Sequence, residues 1–157
     1  MKTTCGMFLF DRRGKFLICH PTGSDEYTWS IPKGLQEPGE NYLESATREL
    51  EEETGIDLMK MTDSVKGVYD LPKVNYVHKL KTLRPFVVVT NILVPVGSLV
   101  CRSIAACIGL PECDDFKWVT MKEAEKLIHE TQLRCLSRVK ETFKKHQEYS
   151  SENKKLA

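Results

Sequence analysis

The 157-residue chain is short of several features that would narrow its role at once. It lacks a strong charge of either sign: 23 Lys and Arg against 22 Asp and Glu leave a formal net charge of +1. Bulk electrostatics therefore gives no reason to read it as a general nucleic-acid or membrane-surface binder, although RNA stays open as a substrate. No apolar run approaches the roughly 20 residues that a spanning helix requires. No secretory signal pattern opens the chain, because Asp11, Arg12 and Arg13 interrupt the first apolar stretch. None of the six cysteines, at 5, 19, 101, 107, 113 and 135, forms a C-x-x-C pair. Scattered through apolar segments, they read as buried thiols in a reducing compartment rather than a disulfide framework or a metal site. The expected location is the cytoplasm, that of the host if a virus encodes the chain. Internal repeats and domain linkers are also missing, so one domain is expected over 1–145, followed by a polar tail, 146–157, expected to be frayed or disordered.

Strand formers dominate 3–10 and 15–20, with Gly14 in the turn between them, which predicts a hairpin. A short strand is expected at 29–31, closed by Pro32, Lys33 and Gly34. From 39 to 54 the apolar spacing becomes helical, with Leu43, Ala46 and Leu50 on the core face and Gly55 as terminator. Strands are predicted at 65–69, 85–96 and 117–119, and one terminal helix over 122–145. The order of elements predicts an α+β fold of α/β/α sandwich type.

The chemistry concentrates in 34–56, GLQEPGENYLESATRELEEETGI. Glu49, Glu52 and Glu53 stand at i, i+3 and i+4, within roughly 100° of one helix face. Three carboxylates so close repel one another and destabilise a bare helix. A hard divalent cation such as Mg²⁺, which prefers oxygen ligands, makes sense of them. Leu43, Ala46 and Leu50 on an adjoining face would hold them on a packed element. Gly34 and Gly39 bracket a tight loop whose carbonyls can also approach a metal. The plain alternative is a solvated, Glu-rich face with i,i+4 ion pairs such as Glu44–Arg48. The pattern is more specific than that. Gly34, Glu40, Arg48, Glu49, Leu50, Glu52, Glu53, Gly55 and Ile56 match G-x5-E-x7-R-E-U-x-E-E-x-G-U, U being bulky and apolar. At average residue frequencies this has a chance on the order of 10⁻⁹ to 10⁻¹⁰ per starting position.

This spacing is the Nudix box, and the chain resembles the Nudix hydrolase superfamily. The likeness extends to Trp29-x-x-Pro32-Lys33-Gly34 ahead of the box, and to Glu112 standing six residues before Trp118. The resemblance implies the Nudix fold, a mixed sheet between helices, and hydrolysis of a phosphoanhydride. It implies that Glu49, Glu52 and Glu53, with the Gly34 carbonyl, ligate Mg²⁺ or Mn²⁺, and that Glu40 and Arg48 brace the loop–helix–loop. A glutamate would activate the attacking water, Glu52 or Glu53 first and Glu112 second. Lys33 would contact a substrate phosphate. Trp29 and Trp118 read as core residues, and His20 and His78 as ordinary polar neighbours. Tyr27, Tyr69 and Tyr76 are open candidates for stacking on a base. Pro72 stands sixteen residues past the box, where ADP-ribose-cleaving members carry a proline, and Tyr69 and Tyr76 flank the place where dinucleoside-polyphosphate members favour a tyrosine. The expected substrate is a dinucleoside polyphosphate, with ADP-ribose as a further candidate. An RNA 5′ end is the alternative, for which 73–84 supplies cations. A nucleotide-binding module without catalysis is the third reading, and the repulsive carboxylate trio argues against it.

Overall fold

The computed structural model describes residues 2–77, 80–105 and 109–156, with side chains to residue 152. Cys107, His78 and Lys79 of the basic stretch lie outside the described residues. The elements in order are β1 (Lys2–Phe10), β2 (Phe16–Pro21), β3 (Lys33–Leu35), α1 (Tyr42–Thr54), β4 (Val65–Asp70), β5 (Val74–Asn75), β6 (Lys81–Thr90), β7 (Ile104–Ala105), β8 (Leu110–Pro111), β9 (Cys113–Val119), α2 (Met121–Leu127), α3 (Glu130–Leu133) and α4 (Leu136–Leu156). The main sheet runs β4-β6-β1-β2-β9, with β3 added on β1 and β5 on β6, while β7 and β8 pair separately. β1 and β6 are parallel and the other pairs antiparallel, so the sheet is mixed.

Alternation along the central strands divides the core in two. Cys5, Met7 and Leu9 of β1 join Phe86 and Val88 of β6 against Ala46 and Leu50 of α1. Phe8 and Phe10 join Leu83, Val87 and Val89 against Ala124 of α2 and Leu136 and Val139 of α4. Helices thus cover both faces, the expected α/β/α arrangement. Leu43 differs from expectation. It is exposed rather than part of the core face, because α1 is anchored through Ala46 and Leu50, one turn and two turns further on.

The single helix expected over 122–145 is broken twice. Ile128 is extended (φ −82°, ψ 154°), and its neighbours serve the Trp29–Ile31 segment. Trp29 N–H donates to Leu127 O and His129 N–H to Trp29 O, while Gln132 Oε1 accepts from Ile31 N–H at 2.8 Å. A continuous helix would leave these buried backbone groups unpaired. For the same reason 29–31 forms only isolated bridges, to Cys19 and Ile128, and the strand begins at Lys33 instead of ending there. β6 stops at Thr90, not at 96, where the Thr90 hydroxyl bonds Phe10 O and Ile92 N–H. β9 begins four residues earlier than expected, at Cys113.

α4 does not end at Lys145. It runs on through the residues expected to fray, since Phe143 stacks on Phe10 with centroids 4.3 Å apart and buried His146 shares a 2.6 Å hydrogen bond between its Nδ1 and Tyr69 Oη. A Cβ on Gly67 would lie 2.8 Å from that ring nitrogen, so the glycine on β4 leaves room for the pair. Among the described residues no helix is long and apolar enough to cross a membrane.

Candidate functional site

The loop before α1 is closed by reciprocal bonds. Asn41 Oδ1 accepts from Glu44 N–H and Glu44 Oε1 from Asn41 N–H, a capping box. At the other end Gly55 takes the left-handed conformation (φ 83°) and donates to Glu51 O. Because Glu44 turns back to cap, it does not pair with Arg48, contrary to the plain ion-pair expectation. Arg48 instead reaches across the loop. Its Nε donates to Glu40 Oε2 at 2.7 Å, Nη2 to Glu40 Oε1 and to Leu35 O, and Nη1 to Glu49 Oε1 at 2.9 Å and to both oxygens of Glu52. Glu40 also accepts from Ser45 Oγ and Glu37 N–H. The Arg48 guanidinium beside Glu40 holds that carboxyl down at about 2.

Glu49 and Glu53, one turn apart, face β3 and are both 7% exposed, whereas the Glu52 side chain is 41% exposed. The Glu49 carboxyl lies directly over Gly34: a Cβ there would stand 2.0 Å from Glu49 Cδ. Only glycine lets strand and carboxylate approach this closely. Burial pushes Glu49 up from the ordinary carboxylate range, against the pull of Arg48. Glu53 is more enclosed. Its Oε1 accepts from Lys33 N–H at 3.3 Å and its Oε2 from the Cys113 thiol at 3.4 Å. Burial raises it to about 8, which the nearby Lys33 charge offsets only in part.

Glu53 opens on a cleft of about 310 Å³ also lined by Lys33, Glu112, Cys113, Trp29 and Tyr76. Helix, strand β3 and the start of β9 therefore bring Lys33, Glu53 and Glu112 together. Glu112 accepts from Ser103 Oγ at 3.1 Å and lies near enough to Glu49 to raise its pKa. Of the three tyrosines, Tyr76 lines this cleft. Tyr27 is 68% exposed and lines a neighbouring depression with His20 and Trp29. Tyr69 is directed to α4, where His146 takes its hydroxyl, so it is not in the cleft. Trp118 is buried as expected. Trp29 is equally buried, donates from Nε1 to Glu26 O, and lies under Lys117 Nζ at 4.8 Å from its ring. His20 bonds Asp114 and Asp25 O, a polar neighbour as read. The sequence reading named Lys81 only within the basic stretch 73–84, and missed Cys113 and His129 at the cleft. Adjacency to Glu112 was the available sign for Cys113, and nothing in the spacing marked His129.

The donor chemistry fits a hard divalent cation. Glu49 and Glu53 are buried carboxyls, Glu49 at closest approach to the Gly34 backbone, and a lysine and an arginine only partly offset the carboxylate charge gathered with Glu52 and Glu112.

Comparison with known proteins follows the same outline. A family model described as NUDIX domain matches residues 2–139. The chain is 34% identical over 79 residues to the RNA pyrophosphohydrolase of Rhodopseudomonas palustris (strain HaA2), covering 46% of this chain and 47% of that protein. It is 37% identical over 67 residues to the asymmetrical bis(5′-nucleosyl)-tetraphosphatase of Sus scrofa, covering 37% and 45%. The chain thus spans about half the length of the curated relatives it matches. Among solved structures, a C. elegans Ap4A hydrolase binary complex is similar with a TM-score of 0.65 at 20% identity, over 91% of this chain and 97% of that one. The E. coli dihydroneopterin triphosphate pyrophosphohydrolase is similar with a TM-score of 0.65 at 15% identity, over 87% and 92%. At these identities the structural likeness speaks for the fold.

Proposed function

The chain belongs to the Nudix family, and on that premise we propose that it is a divalent-metal-dependent pyrophosphohydrolase acting in the cytoplasm on a phosphoanhydride of a dinucleoside polyphosphate. The observation that carries this reading is Glu53, a buried carboxyl raised to about 8 at the base of a cleft it shares with Lys33 and Glu112. Such a group is costly to fold around unless a cation joins it.

Glu49, Glu53 and the Gly34 carbonyl would hold Mg²⁺ or Mn²⁺, with Glu52 completing the set. A bound ion supplies charge neutralisation on the bridging and leaving oxygens. The chain's own residues do the remainder. Arg48 fixes Glu49 and Glu52 from one nitrogen and ties both to the loop through Glu40, so the carboxylates need little reorganisation on binding. Lys33 meets a substrate phosphate from the cleft floor. Activation of the attacking water falls to Glu52 or Glu53, with Glu112 across the cleft as the other candidate. Tyr76, half-buried and lining the cleft, would stack on a base. The similarity to an asymmetrical bis(5′-nucleosyl)-tetraphosphatase supports this substrate class.

A second reading, hydrolysis at an RNA 5′ end, draws on cations beside the cleft and on the similarity to RNA pyrophosphohydrolases. Lys73, Arg134 and Arg138 line a small cavity, and Arg134 donates to Asn75 O, one residue from Tyr76. Incubation with Ap4A, Ap3A, ADP-ribose, deoxynucleoside triphosphates and triphosphorylated or capped RNA, in Mg²⁺ or Mn²⁺, separates these readings by product. Dinucleoside polyphosphate turnover should be abolished in Glu52→Gln or Glu53→Gln, while RNA turnover, if it dominates, should fall steeply with salt. Undiminished activity in both variants, or no product from any substrate, would refute the hydrolase reading and favour a binding module.

A further inference from the structure

Behind the cleft, β2 and β9 carry donors that phosphoanhydride hydrolysis does not use. Cys19 is fully buried and Cys113 is 6% exposed. They reach one another through an irregularity in strand pairing. Cys19 opposes Phe116 and His20 opposes Asp115, but after a bulge between His20 and Pro21, Pro21 opposes Cys113. In regular register Pro21 would face Asp114, and Cys113 would point to the opposite side of the sheet. The one-residue shift turns it to the side of Cys19, where the two sulfurs lie within 4.8 Å of one another. That side is the one α1 covers, and Glu53 meets them there. The Sγ atoms of Cys19 and Cys113 and a Glu53 oxygen all lie within 4.8 Å of one another, with Cys113 Sγ 3.4 Å from Glu53 Oε2.

A tetrahedral ion with metal–sulfur bonds of about 2.3 Å and a metal–oxygen bond of about 2.1 Å requires S···S near 3.8 Å and S···O near 3.6 Å. The three donors need only small rotations to meet that demand. Two sulfurs and one oxygen suit a soft or borderline cation and not Mg²⁺. Cys113 and Glu53 also line the cleft, which leaves a fourth position open to water or a phosphate.

We propose that Cys19, Cys113 and Glu53 form a second metal site, selective for Zn²⁺ or Cd²⁺, which shares Glu53 with the Mg²⁺ site and so opposes it. Binding releases the two thiol protons, and the Glu53 carboxyl proton where that group is still protonated, to solvent in exchange for one cation, with no change in oxidation state. The metal site stands on this geometry alone, and its inhibitory effect rests on the hydrolase reading.

Cd²⁺ titration of the full chain in the presence of Mg²⁺ reads the site directly. Wild type should develop a thiolate-to-cadmium absorption band that saturates at one equivalent, with about two to three protons released per ion, two from the thiols and the third from Glu53 where it is protonated. Cys19→Ser and Cys113→Ser should lose the band, and Cys135→Ser, a buried thiol on the other face, should keep it. In the Mg²⁺ assay one bound Zn²⁺ should suppress wild-type turnover, and Cys19→Ser should raise the half-inhibitory Zn²⁺ concentration at least about tenfold while retaining its Mg²⁺ activity. Absence of the band in wild type, or its persistence in Cys19→Ser, would overturn the site. Equal Zn²⁺ sensitivity of Cys19→Ser and wild type would overturn the sharing of Glu53. A cadmium band in a chain that hydrolyses no nucleotide would uphold the site and defeat the hydrolase reading instead.

Discussion

Replacing Gly34 with alanine tests the close approach on which the carboxylate geometry depends. The added Cβ would stand 2.0 Å from Glu49 Cδ and 2.2 Å from both carboxylate oxygens. Ordinary contact begins at 3.4 Å, so the Glu49 carboxyl must retreat by about 1.4 Å, the difference of the two distances. That displacement stretches its 2.9 Å bond from Arg48 Nη1 beyond hydrogen-bond range. Overpacking of this kind costs about 1–3 kcal/mol, and at this chain length each kcal/mol lowers Tm by about 2–4 °C, so a fall of about 2–12 °C is expected by calorimetry or thermal fluorescence. The effect on turnover should be larger. A shift of about 1 Å in a positioning group can cost about 100-fold, equivalent to about 2.7 kcal/mol of transition-state stabilisation.

Gly97→Ala is the matched control, because a Cβ there meets nothing within 4 Å and the backbone is not left-handed. It should change stability by no more than about 0.5 kcal/mol. In the Gly34→Ala background, Glu49→Asp withdraws the carboxyl by about one C–C bond, roughly 1.5 Å, and should recover part of the lost Tm. Steady-state kinetics on the preferred nucleotide, with Mg²⁺ titrated at each substrate concentration, measures the catalytic arm. A Gly34→Ala enzyme with kcat/KM within about threefold of wild type and an unchanged Mg²⁺ requirement would refute the claim that Glu49 is held over Gly34 for a ligand.

Arg48→Gln removes the group that links Glu40, Glu49, Glu52 and Leu35 O. With the pair partly exposed, about 2–3 kcal/mol and a Tm loss of about 4–12 °C are expected. Glu40 is lowered in the fold to about 2, so its contribution is complete above its ordinary range and is lost as pH falls through about 2. Arg48→Gln should therefore move acid unfolding to higher pH, and an unchanged acid midpoint by circular dichroism would count against the bond. His146 carries a pKa lowered by burial. Its neutral form is favoured in the fold, so stability is complete above about 6.5 and declines as pH drops below that toward the folded value. Tm against pH should be steeper below about pH 6.5 for wild type than for His146→Phe, and parallel curves would show that α4 is not docked through this ring.

The helix, its glycine terminator and the Glu40–Arg48 brace were legible because each is set by spacing along one segment. A period of 3.6 residues puts Glu49 and Glu53 on one face whatever the rest of the chain does. The same rule failed at 122–145, where local periodicity could not register that Trp29 and Ile31 need backbone partners and take them from Ile128, His129 and Gln132. It also failed for Leu43, whose spacing matches the core face but which stays exposed while Ala46 and Leu50 are buried. Tyr69 and Tyr76 were indistinguishable in sequence because both lie near strands of the same sheet. Pairing decides between them: Tyr69 opposes Val87 in β6 and packs on the α4 face, while Tyr76 follows β5 at the end of the sheet nearest Lys81.

The least legible part of the site depends on a single irregularity. Glu53 and Cys113 are 60 residues apart, and no period relates them. Their contact requires β2 beside β9 and a one-residue shift between His20 and Pro21. With regular register, Glu53 would lose its thiol donor, and Glu112 would move with Cys113 relative to the cleft. Pro21 makes the shift cheap, since it has no N–H to give to the ladder at the position where pairing slips. A proline in β2 therefore has a consequence on the opposite side of the cleft: it sets which residues of β9 face α1, and through them the surroundings of the most deeply buried carboxylate of the helix. Pro21→Val, which restores the donor and favours regular pairing, should leave α1 and its brace intact while altering the Glu53 surroundings. Loss of the cadmium band with retained Tm is the expected signature, and a band of wild-type intensity would show that the bulge is fixed elsewhere.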